Sequence, residues 1–532
     1  MEKLANNAYK QGLMAIYGAA KSRKKPDVID VDRFRQYFID AYKCQAPQFN
    51  AAGADEEEDI SYELIRPFTE EEIESKIKEL KSSAPSTSGW SPKDIRELGN
   101  AAAKTIAPIF NEILITGEMP VGWMEAKIQF IHKKGDKDEP ANYRFISIEN
   151  PWLKLFSKLL SARISGFAEA KALLPVKQFG FRRNLSTVSA VSLLYEIIKK
   201  RMEPEIERTD EFSQHQHHYN TRSRSGDKSK HTKRAAKTKP GERTYVAFID
   251  LKRAFPSINR ELLDKKMSRL GFPNALRRLI LNMFNGLGLC ITSGDECAPP
   301  VTTSVGVPEG NCLSPILFAI FTADVEDFLH HRAPTLSDRE MKSIFFADDG
   351  AILATSAEEL QKAINDFAQY CSKNDLTINA NKTKIMIFGR GRIPEANFYI
   401  NEDKIEIVKE FTYLGVVLSS QLCFTSHINA IINKAKTRVA YLYMQLPLYT
   451  VTLELVIKIF QTYLLPIFTY CAPIWTNDIR SNNNIQKLNA VFTNYIKRYL
   501  GLPKYAHNAA VHYYCGTWPL YNAIKNLAQT AA

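Results

Sequence analysis

Nowhere in this 532-residue sequence is there a run of about 18 uncharged apolar residues, which argues against a membrane-spanning helix. The N-terminal MEKLANNAYKQGLMAIYGAAKSRKKPD lacks a continuous apolar stretch followed by a small-residue cleavage site, so it does not read as a secretory signal. There is no C-x-x-C. The eight cysteines (Cys44, Cys290, Cys297, Cys312, Cys371, Cys423, Cys471, Cys515) are scattered, suggesting neither a zinc module nor a disulfide framework. A reducing intracellular setting, nucleus or cytoplasm, fits best. No repeat of 20–50 residues is visible. Acids are the scarcer charge, 58 against 70 Lys and Arg, and a net +12 permits a polyanionic partner such as nucleic acid. A basic but unspecialised surface fits charge alone equally well. Hydrophobic residues at 45% exclude a wholly disordered chain and suffice for a sizeable core.

Helical pattern in VDRFRQYFIDAYKCQ precedes an acidic loop, AGADEEEDISYE. FTEEEIESKIKELKSSAPSTSGW predicts an amphipathic helix with Thr69 as N-cap, Glu72 at capping-box spacing and Ile73, Ile77 and Leu80 on one face. AKIQFIHKK reads as a short strand. Residues 203–243 have almost no apolar side chains and are rich in Lys, Arg, Ser and His, which predicts a disordered insert. Its His215, His217 and His218 are better read as solvated loop histidines than as metal ligands. Its basic tract suits nuclear import, an RNA grip or a plain solvated linker. Beyond about residue 395 the chain is mostly helical, with basic and aromatic residues interleaved.

Two places put aspartate where a structural role is hard to find. Asp250 ends the apolar strand YVAFID, at the C-terminal edge of a sheet. Asp348 and Asp349 lie in SIFFADDGAILAT, where apolar strand, Ala-Asp-Asp-Gly turn and apolar strand predict a β-hairpin. Adjacent acids repel, and burial raises their pKa values unless a cation lies between them. Three carboxylates from two neighbouring strands suit two Mg²⁺ ions about 4 Å apart, an arrangement for nucleotidyl transfer. An aromatic-x-Asp-Asp string alone arises by chance in roughly one chain in eight of this composition, so the pair is weak evidence by itself.

Other strings accompany it in order: IQFIHKKGDKDEPANYRFISIEN, QFGFRRNLSTVSAV, FIDLKRAFPSI, SVGVPEGNCLSPILFAIFTADVEDFL, FADD, NKTKIMIFG and FTYLGVVLS. Together they resemble the reverse transcriptase domain of non-LTR, LINE-type (jockey-like) retrotransposons, from about Phe68 to the C-terminal region. The resemblance implies an α+β right-hand polymerase with fingers, an antiparallel palm sheet and a helical thumb. It divides the chain into an N-terminal helical extension (1–67), fingers (68–202), the insert (203–243), palm (244–395), and primer-grip hairpin with thumb (396–532). It implies an RNA-directed DNA polymerase that uses an RNA template, a DNA or RNA primer and dNTPs. Two Mg²⁺ ions would serve as cofactors, with Mn²⁺ able to substitute.

Residue by residue, the resemblance makes Asp250, Asp348 and Asp349 catalytic metal ligands, with the Leu251 carbonyl as a further contact. It places Phe255 under the sugar as a steric gate against a ribose 2′-OH. Pro308, Glu309 and Gly310 back the incoming nucleotide, Arg144 contacts phosphate, and Lys384 steadies the triphosphate. Lys133 and Lys134 fall beside template or primer. Tyr413, Leu414 and Gly415 form the primer-grip hairpin, and Lys497, Arg498 and Tyr499 lie in a thumb along the duplex. The chain departs from the family pattern at Glu309 (usually Gln), Asn311 (usually Ser), Phe145 (usually Pro) and SSAPSTSGW (usually Lys-Ala-Pro-Gly-Pro-Asp-Gly). These departures suggest a copy of reduced activity, and the competing reading is a protein of this fold that binds RNA or DNA without polymerising. No endonuclease is recognised in these residues, so nicking would be supplied in trans or lost. The sequence is silent on oligomeric state.

Overall fold

The apolar runs that end at the three aspartates become the middle of one sheet covered on both faces. The structure is a computed structural model and describes residues 30–42, 62–203, 205–206, 238–239, 241–293, 296–445, 452–476, 479 and 482–530. Helices α1 (Val31–Tyr42), α2 (Glu70–Lys78) and α3 (Pro92–Thr116) lead to strands β1 (Glu125–His132) and β2 (Tyr143–Glu149), then to α4 (Pro151–Ala170) and α5 (Thr187–Met202). After β3 (Thr244–Ile249) come α6 (Arg260–Arg269), β4 (Gly288–Ser293) and α7 (Ser314–Phe321). The hairpin β5 (Ser343–Phe346) and β6 (Asp349–Ala354) is followed by α8 (Ala357–Lys373), β7 (Lys384–Phe388), β8 (Phe398–Ile400) and β9 (Asp403–Ile407). A second hairpin, β10 (Glu410–Tyr413) and β11 (Val416–Ser419), opens the C-terminal region, which includes α9 (Thr425–Gln445), α10 (Asn482–Tyr499), α11 (Asn508–Tyr514) and α12 (Leu520–Thr530).

The central sheet has the order β5-β6-β3-β7-β9-β8. It is antiparallel except for β7 and β9, which run parallel through Lys384↔Glu406. The antiparallel sheet that the sequence predicts thus carries one parallel pair. After β7 the chain returns one position further out as β8, and β9 then fills the gap between them. The sheet thus continues to Ile407, past residue 395. A smaller sheet pairs β1 antiparallel with β2 and parallel with β4.

Two cores meet at the central sheet because side chains alternate across it. Ala247 and Ile249 of β3, Ile352 of β6 and Ile385 of β7 enter one core, with α3, α4 and α8. Their neighbours Val246, Phe248, Leu353 and Met386 enter the other, with α5, β10–β11 and the C-terminal helices. Double-sided burial explains why these strands read as unbroken apolar runs rather than as alternating ones.

Thr69 caps α2 as its sequence predicts, its Oγ1 accepting from the Glu72 N–H at 3.2 Å. Only half of the capping box forms. The Glu72 carboxylate turns instead to the guanidinium groups of Arg163 (2.9 and 3.0 Å) and Arg66 (3.1 Å). Two charged donors outweigh one backbone N–H. The predicted insert lies mostly outside the described residues, as do its three histidines and its basic tract. At its base Glu205–Ile206 pairs antiparallel with Thr238–Lys239.

Phe145, which departs from the family pattern, has a structural reason. It lies on the inward face of β2 among Phe130 (5.3 Å between ring centroids), Phe38 (5.6 Å) and Tyr37 (5.8 Å). Helix α1 docks through this aromatic cluster, and such pairs add about 0.5–1.5 kcal/mol each beyond area burial. A proline would supply no ring. Tyr37 also lies under the Arg253 guanidinium at 4.5 Å, three residues past Asp250.

Candidate active site

Asp250 immediately follows β3, and Asp348 and Asp349 lie at the β5–β6 turn. Ile249 pairs with Gly350, so the next step of that register sets Asp250 opposite Asp349. The turn is tighter than the sequence suggests: Phe346 already pairs with Asp349, leaving only Ala347 and Asp348 between the strands. Ala347 adopts φ 58°, a left-handed conformation that disfavours any side chain. A neighbouring segment holds it there. The Gln178 Oε1 accepts from the Ala347 N–H at 3.3 Å, and Phe179 donates its N–H to the Phe345 carbonyl at 2.7 Å. Gly180 allows this approach, because a Cβ there would lie 2.3 Å from the Ala347 nitrogen. QFGF is thus a brace for the β5–β6 turn, a role its sequence did not disclose.

Asp250 is braced separately. Its N–H donates to Thr383 Oγ1 (3.3 Å), its carbonyl accepts from the Asn379 N–H (2.8 Å) and its carboxylate accepts from Asn379 Nδ2 (3.0 Å). Lys382 Nζ stands 3.5 Å from the same carboxylate. Asp348 and Asp349 have no ion-pair partner among the described residues. Burial raises the Asp348 carboxyl above its usual range, with Asp250 adding to the shift. Asp349 is raised to about 6, by burial and then by the charges of Asp348 and Asp250. Among the described residues no three His, Cys, Asp or Glu side chains form a preformed metal cluster. The donor set nevertheless suits a hard divalent cation: three carboxylates at adjoining strand ends, two of them short of positive charge.

The loop Gly306–Asn311 faces this corner. Gly306 N–H donates to the Ile258 carbonyl (2.8 Å) and Val307 N–H to the Phe255 carbonyl (3.0 Å). Buried Arg260 straps the loop from behind, with Nε on the Gly306 carbonyl (2.8 Å) and Nη2 on the Val305 carbonyl (3.1 Å). The Glu309 carbonyl accepts from both the N–H (2.7 Å) and the Oγ (3.0 Å) of Ser147. Gly310, at φ 107°, lies against the same strand, where a Cβ would come within 2.7 Å of the Ser147 carbonyl oxygen. Pro308 is buried beneath. The Glu309 carboxyl is raised by burial, opposed by Lys133 and Arg144 and reinforced by Asp348. Lys133 and Arg144 thus supply positive charge beside this carboxyl.

Asn311 is wholly structural. Its Nδ2 donates to both oxygens of the buried Glu149 (2.9 and 3.0 Å), and its Oδ1 accepts from the Leu313 N–H at 2.7 Å. Phe255 is half-buried, its ring 5.1 Å from Phe318 and 6.4 Å from Phe181. Arg144 is exposed on β2, and its charge acts on Asp348, Asp349 and Glu309. Burial, with Lys382 and Arg144 nearby, pulls the Lys133 ammonium below its usual range, while Glu309 opposes this. Lys134 is exposed in the turn beyond β1, and Leu251 opens the short strand after Asp250.

Two lysines are not where the sequence pointed. Lys384 pairs with Glu406 (3.0 Å) and donates to the Asn381 carbonyl (2.7 Å), so Lys382 is the lysine beside Asp250. Strand alternation decides this, since Lys384 is paired within β7 whereas Lys382 lies in the preceding turn. Lys497 is buried and donates to the Lys504 carbonyl (2.8 Å) and to Asn508 Oδ1 (2.7 Å), which makes it a strut rather than a phosphate contact. Its neighbour Arg498 covers the Tyr443 ring at 4.1 Å, and Tyr499 packs on the same ring at 5.3 Å. In the β10–β11 hairpin Tyr413 is buried against Phe248, the turn residue Leu414 is half-buried and Gly415 is exposed. Tyr470 from the C-terminal region donates to the Leu414 carbonyl at 2.5 Å.

Residues 131–418 match the family described as Reverse transcriptase (RNA-dependent DNA polymerase). The chain belongs to the reverse transcriptase family. Its α+β architecture is the right-hand polymerase fold of that family. The "Probable RNA-directed DNA polymerase from transposon BS" of Drosophila melanogaster is 26% identical over 84% of this chain and 46% of its own length. The "RNA-directed DNA polymerase from mobile element jockey" of the same fly is 23% identical over 87% of this chain and 47% of its own. This reverse transcriptase chain thus spans about half the length of the curated relatives it matches. Among solved structures, an apo telomerase of Candida tropicalis truncated from its C-terminal domain matches 64% of this chain and 62% of its own, at 12% identity and a TM-score of 0.35. No helix among the described residues is long and apolar enough to cross a membrane.

Proposed function

We propose that this chain is an RNA-directed DNA polymerase of a non-LTR retrotransposon, extending a DNA or RNA primer with dNTPs on an RNA template. The observation that carries this reading is the meeting of Asp250, Asp348 and Asp349 at adjoining strand ends, two of them raised in pKa by burial and by neighbouring carboxylates. Mg²⁺ held by these carboxylates and the Leu251 carbonyl, with Mn²⁺ as a substitute, would lower the pKa of the primer hydroxyl and neutralise the leaving pyrophosphate. The protein's own part is positioning. The Gly306–Asn311 loop, fastened to Ser147 and Arg260, backs the base and sugar of the incoming nucleotide. Phe255, rigid against Phe318, closes the space below the sugar's 2′ carbon. Lys133, Arg144 and Lys382 attract the triphosphate, and Leu414 and Gly415 bear on the primer end. The primer 3′ oxygen then attacks the α-phosphorus, the bond to the bridging oxygen breaks, and pyrophosphate departs.

Extension of oligo(dT) on poly(rA) with dTTP tests this, with an Asp348→Ala/Asp349→Ala chain as control. Metal-dependent extension that the control lacks is expected. Salt-sensitive binding of the duplex with no extension by the parent chain would establish the non-polymerising reading instead. Glu309→Gln would then show whether the loop carboxyl is the defect.

A further inference from the structure

The positive charge of the chain is unevenly placed. From Phe411 to Ala532 there are ten Lys and Arg but only two acids, Glu454 and Asp478, so this segment holds eight of the twelve excess positive charges. After Asp478 no acid occurs at all. A cleft of about 1010 Å³ between α9 and α10 is lined by Lys436, Lys487, Arg498 and Lys504, with no carboxylate in its wall. Immediately beyond Lys504 the surface turns aromatic. Tyr505 is 91% exposed, Tyr513 91%, Tyr514 76% and Trp518 69%. None of these four rings contacts another ring among the described residues. Large aromatics of this exposure are unusual on a free surface, and in the sequence they follow within 14 residues of Lys504, the last residue of the cleft wall.

We propose that Tyr505, Tyr513, Tyr514 and Trp518 form a stacking platform for single-stranded nucleic acid that enters or leaves along the Lys436–Lys504 cleft. Bare rings offer their π-faces to unpaired bases of any sequence, while the lysines follow the phosphates. An apolar protein partner would cover the rings equally well, but it would gain nothing from 54 residues without a carboxylate. The platform is separate from the aspartate corner, so it stands whether or not the chain polymerises. An Asp348→Asn/Asp349→Asn chain should bind as the parent does.

The test is fluorescence anisotropy of a labelled, primer-free oligo(rU) of about 20 nucleotides with the full chain, at low and high salt. Tyr513→Ala/Trp518→Ala should weaken binding about tenfold or more at both salts, with the salt slope unchanged because no lysine is lost. Tyr513→Phe/Trp518→Phe, which keeps the rings, should stay within about twofold. Alanine and parent chains of equal affinity would overturn the proposal, as would a loss of self-association in sedimentation without a loss of RNA affinity. Photocrosslinking of the parent chain to 5-iodouracil RNA guards against a folding defect in the variants. Adducts on Tyr505, Tyr513, Tyr514 or Trp518 are expected, and adducts confined to other residues would refute the platform.

Discussion

The aspartate corner and the Glu149 pocket both hold carboxyl groups raised above their usual range, yet they are built on opposite principles. Glu149 is raised to about 7 by burial, but Asn311 donates to both of its oxygens from inside the protein. Asp348 and Asp349 are also raised, Asp348 by burial and by Asp250, Asp349 by burial and by Asp348 and Asp250, and no described cation pairs with them. One acid is satisfied by the fold, whereas the other two are left for something the fold does not contain. A shifted pKa alone does not mark a reactive group, and the partners around it decide. The sharpest break of this contrast is Asp348→Asn. Extension of a primed RNA template should fall by about 10³-fold or more, while the melting temperature is held or raised, because a repelling charge has gone. Loss of stability in step with activity would mean that Asp348 is structural, like Glu149.

The brace comes next in size. Gly180→Ala places a Cβ within 2.3 Å of the Ala347 nitrogen, and the turn must move to accept it. A displacement of about 1 Å at reacting groups is worth roughly 10²-fold, so extension should drop by about that factor while duplex affinity changes little. Parallel kcat and filter-binding measurements check it. In the Glu149 pocket the corresponding break is thermodynamic. Asn311→Ala strips the buried carboxyl of two hydrogen bonds and should lower stability by about 2–4 kcal/mol in urea unfolding. The pH dependence has a definite sign. A folded-state value near 7, raised from 4.5, means that the folded chain holds the extra proton, so stability falls as pH rises from about 4.5 to 7. Glu149→Gln should remove that decline.

The contrast also shows what could be read from the sequence. Asp250, Asp348 and Asp349 were legible because apolar strands deliver them and turn chemistry fixes the hairpin. The right-hand fold followed from ordered motifs. The sequence did not reveal the role of QFGF, because its work is a close backbone approach that depends on Gly180 facing Ala347 across about 170 residues. It also misled at Phe145 and Asn311. Each departs from the family pattern, and each is integrated by a partner distant in sequence, Phe38 for one and Glu149 for the other. Arg260, which straps the Gly306–Asn311 loop, looks like any helical surface arginine until its burial is known.

Lys382 and Lys384 repeat the contrast in miniature. Lys384 is satisfied by Glu406, and Lys382 approaches Asp250 from solvent. Lys382→Ala should raise the KM for dNTP a few-fold, about 1 kcal/mol for an exposed pair, and Lys384→Ala less. Equal effects would return the role to Lys384.

The smallest effect is the most diagnostic. Asp349 is raised to about 6 from 3.8, so in cation-free buffer the parent chain loses stability as pH climbs from about 4 to 6, and the penalty is complete above that. Asp349→Asn carries no such penalty. Because Asp349 keeps part of its surface in solvent, screening limits the gain to about 1–2 °C in melting temperature, appearing across that window and level beyond it. Added Mg²⁺ should reverse the order, stabilising the parent more than the variant, since only the parent keeps all three carboxylates. A variant that melts higher without the cation and lower with it would separate a site awaiting a ligand from an acid that is merely buried. Glu149→Gln, which keeps all three aspartates, should respond to Mg²⁺ as the parent does.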